Sequence, residues 1–430
     1  MTNQLQQIFN LFKNSNGVST DTRSLKEGQI FFAIKGPSFN GNKFAKEALE
    51  KNASAVVVDE EADLTDDRII VVENSLTMLQ RLANIYRREF NIPVIAIGGS
   101  NGKTTTKEIT AFVLQEKFKT FFTKGNLNNH LGVPLTLLSM PAETEIAIIE
   151  IGANHLQETN HLCSIIEPTH GLITNNGKDH LEGYGSLEGV RKGNGELFEF
   201  LASNKGVAFI SSLQNDLINT SLSIRSETFG ESESDNIQGK ILENFPFLKI
   251  EISNQIGSEI VHTKLYGDYN FENILAASCI GNHFGLVLPE IKNGIEKYKP
   301  ANNRSQVEKI GTNTFILDAY NANPSSMMAA LNSFEKLKSK NKIIVLGDMF
   351  ELGSFSKAEH KLIYEKAKSL EVNLKIFVGN EFSKVVSETD TELCFANVDD
   401  AKRWYRKFAA EDYVFLFKAS RGMELEKILQ

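Results

Sequence analysis

The stretch that most constrains this chain is Val94-Ile-Ala-Ile-Gly-Gly-Ser-Asn-Gly-Lys-Thr-Thr-Thr-Lys-Glu108. The apolar run Val94 to Ile97 predicts a buried strand, and the pattern after Lys103 predicts a helix. Between them Gly98, Gly99 and Gly102 permit dihedrals that other residues resist. Successive backbone N–H groups can then cradle phosphate oxygens at a helix N-terminus. Lys103 is placed to reach the β- and γ-phosphates, and the Thr104 or Thr105 hydroxyl to ligate Mg²⁺. The general phosphate loop has a glycine six residues before its lysine, a position held here by Ile97. What stands instead is the shorter form Gly99, Ser100, Asn101, Gly102, Lys103, Thr104, Thr105. An ordinary glycine turn would not need the Lys-Thr pair, so binding of a nucleotide with Mg²⁺ is expected.

At 430 residues there is room for about three domains, each with its own core. The 46 basic and 54 acidic residues leave a formal charge of −8 with no long basic run, which excludes nucleic acid as the main partner. Cys163, Cys279 and Cys394 are too scattered for a disulfide framework or a zinc site. No basic-then-apolar leader is visible, and no apolar run approaches the ~20 residues that span a bilayer. A cytoplasmic protein, monomeric by default and without membrane insertion, is the expectation.

The fold class expected is α/β in three domains. Residues 1–85 form a small N-terminal α/β unit, with short runs at Gly28–Ile34, Ala53–Val58 and Arg68–Val72 between helical stretches. Its polar loops, Ser19-Thr20-Asp21-Thr22-Arg23 and Lys35 to Phe44, offer hydroxyls, an arginine and amides for a nucleotide or sugar phosphate. Residues 86–300 alternate strands (Val94–Ile97, Thr120–Thr123, Glu145–Ile151, Gly171–Thr174, Val207–Ser211) with helices, which predicts a central parallel sheet of P-loop ATPase type. Residues 220 to 265 are polar and irregular, consistent with a few antiparallel strands inserted late. Residues 301–430 repeat the alternation as a Rossmann-like domain.

Ligands of such sheets gather at the C-terminal strand ends. There lie Asn126, Asn128 and Asn129, then Glu150, then Asn175 to His180. Glu150 closes the run Ile146-Ala-Ile-Ile, a costly place for a carboxylate unless it is paired or binds metal, and a Mg²⁺ role is expected. In the last domain the strand ends carry Asp318 to Pro324, Gly347-Asp-Met349 and Lys418 to Gly422, which suggests a site facing the middle domain.

Gly99-Ser-Asn-Gly-Lys-Thr-Thr105, Asn126-Leu-Asn-Asn129, Asp318-Ala-Tyr-Asn-Ala-Asn-Pro324 and Leu346-Gly-Asp-Met-Phe-Glu-Leu-Gly353 together resemble the Mur ligases, in order through all three parts. The last two strings resemble the branch that adds D-alanyl-D-alanine to UDP-N-acetylmuramoyl-tripeptide. The resemblance implies a UDP-binding N-terminal domain acting through Ser19, Thr20, Thr22, Arg23, Asn40 and Asn42, with Asn126, Asn128 and Asn129 also on the UDP substrate. It implies MgATP in the middle domain, with Asn273 near adenine, and Thr104, Glu150 and His180 at the metals. From the third domain it implies Arg304 and Asp318 on nucleotide, and Asn321 and Asn323 near the dipeptide. Lys103, Glu150 and His180 would serve an acyl-phosphate route in which ATP activates the peptide carboxylate.

The resemblance departs in three places. Asn40-Gly-Asn42 stands where the family has Asp-Gly-His, and amides still hydrogen-bond uracil or ribose. Tyr269 replaces a histidine beside adenine and keeps its stacking. Asn194 takes the place of a lysine whose carbamate bridges the family's metals. Lys192 is roughly 200° away around a helix, and Arg191 stays protonated. A more weakly held second metal, or a substitute group, is the expectation. Folylpolyglutamate synthases share the loop and the route, but the N-terminal unit and Tyr320-Asn-Ala-Asn-Pro324 favour the muramoyl-peptide branch. Asn194 favours a nucleotide-binding relative with lapsed catalysis; Lys103, Glu150 and His180 oppose it.

Overall fold

The computed structural model describes residues 3–60, 65–221, 224–301, 303–386, 392–408 and 411–430. Among the described residues three large sheets follow one another along the chain, with a small two-stranded ribbon, Lys35–Gly36 and Phe39–Asn40, in the first part. The first has four strands, Val18–Ser19, Ile30–Phe32, Ala55–Val58 and Ile69–Val71, all parallel. The second has nine, and runs from Val207–Ser211 at its centre through His170–Ile173, Val94–Gly98 and Ile146–Glu150 to the edge strand Thr120–Phe122, again parallel. The third has six, with Asn313–Leu317, Val414–Lys418, Lys342–Gly347, Leu374–Val378 and Leu393–Phe395 parallel and Gln306–Ile310 antiparallel at one edge.

These strands of the second sheet are apolar along most of their length because both faces are covered, and side chains alternate with a period of two. Val94, Ala96, Ala147 and Ile149 point into one core, whereas Ile95, Ile97, Ile146 and Ile148 point into the other. The first core takes in helices Asn3–Lys13 and Ser75–Arg88 as well, so the N-terminal unit and the central sheet share apolar packing. The second packs the phosphate-loop helix, Lys103–Leu114, against Phe271–His283 and Leu288–Lys297. At about 1.5–3 kcal/mol for each buried Val, Ile or Leu, these two layers hold the loops at the strand ends.

Residues 220 to 265 differ from the sequence expectation. They are not an insertion but a continuation of the same sheet: Arg225–Gly230 and Ile237–Glu243 extend it in parallel before Lys249–Ser253 and Ser258–His262 turn antiparallel. Their alternate residues Ile250, Ile252 and Val261 are buried, and the exposed outer face supplies the polar composition.

Candidate active site

The strand Val94–Gly98 delivers the chain into the phosphate loop, and Lys103–Leu114 leaves it. Gly98 stays in the strand; the left-handed positions are Gly99 (φ +108°) and Gly102 (φ +86°). A Cβ on Gly102 would also stand 2.3 Å from Asn273 Oδ1, so both backbone and space demand glycine there. Asn273 is held for that contact: its Nδ2 donates to Asn270 Oδ1 at 2.9 Å and its Oδ1 accepts from the Thr106 hydroxyl at 3.0 Å. Lys103 Nζ lies over the loop's own carbonyls, those of Gly99 and Ser100.

A neighbouring loop, after His170–Ile173, braces this cradle. Ser100 N–H donates to Asn175 O at 2.9 Å, Asn101 N–H to Asn175 Oδ1 at 3.1 Å, and Asn175 Nδ2 to Asn101 O at 3.0 Å. The Ser100 hydroxyl donates to Asp179, which is buried. Sequence reasoning placed Asn175 and Asp179 near a strand end without seeing this bracing, since only their pairing with the loop reveals it.

Glu150 is 1 % exposed. Its Oε1 accepts from Asn128 Nδ2 at 2.7 Å and from the Thr104 hydroxyl at 3.1 Å. Its Oε2 has no aligned hydrogen bond and faces Lys107 Nζ at 3.3 Å. A hydroxyl and a carboxylate at the head of the phosphate-loop helix are hard oxygen donors, which fits Mg²⁺. Among the described residues no three His, Cys, Asp or Glu side chains gather into a metal-holding group. Mg²⁺ coordinated mostly by phosphates and water needs no such cage.

His180 (φ +45°) sends Nδ1 across to Glu351 Oε2 at 2.8 Å, and Glu351 is itself left-handed (φ +63°). The imidazole holds the Glu351 carboxyl below its usual range. The same loop makes further bridges to the third domain. Lys178 N–H donates to Ser325 Oγ at 2.8 Å and its ammonium pairs with Glu359 at 2.6 Å. Asn323 caps helix Pro324–Glu335 by accepting from Ser326 N–H, and its Nδ2 donates to Asn101 Oδ1 at 2.8 Å.

On the third domain's side, Asp318 accepts from Lys418 Nζ at 2.7 Å and from Ser305 N–H at 3.1 Å. Tyr269 donates towards the same carboxylate at 3.4 Å and meets Ser305 Oγ at 3.0 Å. Burial, with the Asp318 charge, pushes that phenol well above its ordinary pKa. The Arg304 guanidinium carbon lies 3.5 Å from the Tyr320 ring centre, a cation–π contact. Asn321 is exposed, its Oδ1 accepting from Ala322 N–H.

These groups surround one cavity of about 780 Å³ between the central and third domains. Ser100 to Thr105, Asn126, Asn128 and Asn129 line its central-domain wall, with Glu150, His180 and Asn273. Arg304, Asp318 and Asn321 line the opposite wall. Gly99 and Asn323 stand just behind it as supports. The N-terminal candidates are divided differently. Ser19 and Thr20 border a separate groove against Leu135, Leu138 and Ser139. Thr22 is buried, and Arg23 points outward in a paired contact with Asp21, whose carboxyl it holds at about 2. Asn40 and Asn42 bond to each other and to Glu60 and Asp59, away from that groove. Asn194 is 9 % exposed and donates to Asn176 Oδ1 at 2.8 Å, and Asn176 in turn donates to Asp216 at 2.9 Å. Lys192 is exposed on another face.

Family models match each part of the chain: "Mur ligase family, catalytic domain" over residues 14–97, "Mur ligase middle domain" over 97–281, and "Mur ligase, glutamate ligase domain" over 303–421. The UDP-N-acetylmuramoyl-tripeptide–D-alanyl-D-alanine ligase of Bacillus subtilis (strain 168) is 32 % identical over 96 % of this chain and 92 % of its own. A crystal structure of MurF from Acinetobacter baumannii superposes with a TM-score of 0.88 at 28 % identity, covering 99 % of this chain and 97 % of that one. MurF ligase from Thermotoga maritima in complex with ADP gives 0.86 at 25 % identity, covering 100 % and 97 %. With three domain models in order and a relative matched along almost its whole length, the protein belongs to the Mur ligase family, in the branch of the UDP-N-acetylmuramoyl-tripeptide–D-alanyl-D-alanine ligases.

Proposed function

We propose that this chain uses ATP to join D-alanyl-D-alanine to UDP-N-acetylmuramoyl-tripeptide, giving the pentapeptide, ADP and phosphate for peptidoglycan synthesis. The observation that carries this reading is the single cavity that faces a phosphate loop with the asparagine loop on one wall and the third domain's Arg304, Asp318 and Asn321 on the other. A nucleotide, a carboxylate and an amine can meet there.

The tripeptide's terminal carboxylate is a poor electrophile and is activated first. One of its oxygens attacks the γ-phosphorus, the bond to the β–γ bridging oxygen breaks, and ADP leaves an acyl phosphate behind. Lys103 and the loop N–H groups neutralise the charge on the transferring phosphoryl group. Thr104 and Glu150 would hold Mg²⁺, whose charge would add to that neutralisation. The dipeptide amine then attacks the acyl carbon, the carbon–oxygen bond to phosphate breaks, and the nitrogen becomes an amide as its proton passes to the released phosphate. Asn273 and Tyr269 flank the nucleotide base, and Arg304 and Asp318 complete its site. Asn321 is placed to contact the dipeptide, and Asn323 supports it from behind. Ser19, Thr20, Thr22, Arg23, Asn40 and Asn42 serve the UDP end, and the Asn126 to Asn129 loop serves the peptide end. His180 acts at the seam where the third domain closes out water. The working form is a cytoplasmic monomer.

Phosphate release from MgATP and UDP-N-acetylmuramoyl-tripeptide, with and without D-alanyl-D-alanine, tests this. Release that depends on the dipeptide, with pentapeptide as product, is expected. Silence with the dipeptide but turnover with a folate and glutamate would replace it with the folylpolyglutamate reading.

A further inference from the structure

Lys107 has no part in the scheme above, yet it is the most costly side chain near it. It is 0 % exposed, on the second turn of the phosphate-loop helix, where an apolar residue would serve packing alone. A buried ammonium is strongly disfavoured unless a charge and hydrogen bonds compensate it. Its compensation is specific. Nζ lies 3.3 Å from Glu150 Oε2 and 3.2 Å from the Gly125 carbonyl, with Glu108 Oε1 at 4.0 Å.

Of these, Glu150 lines the site and Gly125 adjoins it. Glu150 already takes two donors on Oε1, from Thr104 and Asn128, so the ammonium on Oε2 decides which oxygen turns to the phosphate loop. Gly125 (φ +57°) opens the turn into the asparagine loop, whose Asn128 bonds to that same carboxylate. One ammonium therefore fastens the metal-seating carboxylate and the loop facing the peptide into one unit, beneath a helix whose first residue is Lys103.

We propose that Lys107 is a positioning residue of the ligation: it fixes Glu150 with Oε1 presented to Mg²⁺ and Oε2 withheld, and holds the asparagine loop in register with it. This rests on the proposed function only for its effect on turnover; its effect on Mg²⁺ and nucleotide binding stands apart. An outer partner of a metal ligand commonly sets affinity or activity by about 10- to 100-fold.

The test uses Lys107→Met, Glu150→Gln and the double variant in the full chain, with ADP affinity measured against Mg²⁺ concentration by calorimetry. Lys107→Met is expected to raise the Mg²⁺ needed for half-maximal ADP binding about tenfold or more while leaving metal-free ADP binding unchanged. Turnover should fall with little change in the ATP KM. Since Lys107 acts through Glu150, the double variant should respond to Mg²⁺ as Glu150→Gln does. If Lys107→Met does not fold, the double variant, which buries neither charge, should fold and answer the question alone. A wild-type Mg²⁺ response in Lys107→Met, a double variant that falls well below Glu150→Gln, or a double variant that also fails to fold would each overturn the proposal. Failure of the ligase reading would show instead as absent dipeptide-dependent phosphate release in the wild type, with the binding results intact.

Discussion

Asn194 shows how much a single residue can hold. Its amide joins a file that runs through Asn176 to Asp216, so the negative charge nearest along that file is a carboxylate two hydrogen bonds away. An amide offers a metal one neutral oxygen and no charge. Asn194→Lys should therefore raise turnover or lower the Mg²⁺ required, read from Mg²⁺ titrations of phosphate release; no change in either would show that Glu150 and Thr104 suffice. At the opposite end of the sheet His170 makes a separate prediction. It meets His283 Nε2 at 3.2 Å, with Glu227 behind His283 and Arg225 nearby, and burial lowers its pKa to about 4. The folded state then resists protonation between about pH 4 and the unfolded value near 6.5, while the unfolded chain takes the proton. Stability should be full above about pH 6.5 and fall by up to about 3 kcal/mol towards pH 4. Urea midpoints at both ends, flatter in His170→Phe, check this.

Among elements, the helix Pro324–Glu335 does two tasks through its cap. Asn323→Ala removes both the bond from Ser326 N–H and the reach to Asn101, and should cost about 1 kcal/mol in urea unfolding. The same change should weaken nucleotide binding, whereas a cap of purely local value would leave it untouched. Sequence reasoning placed Asn323 near the dipeptide and saw neither bond, the second because it spans 222 residues. A division holds across the molecule. The phosphate loop, the alternating strands from Val94 to Ser211 and the costly Glu150 were legible from period and position. The edge strands Gln306–Ile310 and Leu393–Phe395 were not, since one is largely part-exposed and the other is three residues long. Lys107 lay in the quoted phosphate-loop string and still gave no signal. A lysine on a helix is ordinarily a solvated residue, and only packing shows it sealed against Glu150.

At the scale of the whole molecule, polar bridges at one loop, His180 to Glu351 and Lys178 to Glu359 and Ser325, close the seam between the second and third domains, beside an apolar contact in which Leu181 and Tyr266 pack with Met327 and Leu331. Weakening that seam should let water reach the acyl phosphate. Glu351→Gln is expected to raise the ratio of phosphate released to pentapeptide formed by a few-fold, with ADP affinity changed little. The junction of the first two units is apolar over a wider area. Leu5, Ile8 and Phe12 share their apolar layer with Leu82, Val94 and Ile149, so the three large sheets make fewer separable bodies. Heated in a calorimeter, it should release its structure in two steps rather than three: the C-terminal body by itself, and everything before it as one. A cut near residue 90 would accordingly produce not two fragments but two halves of a wound.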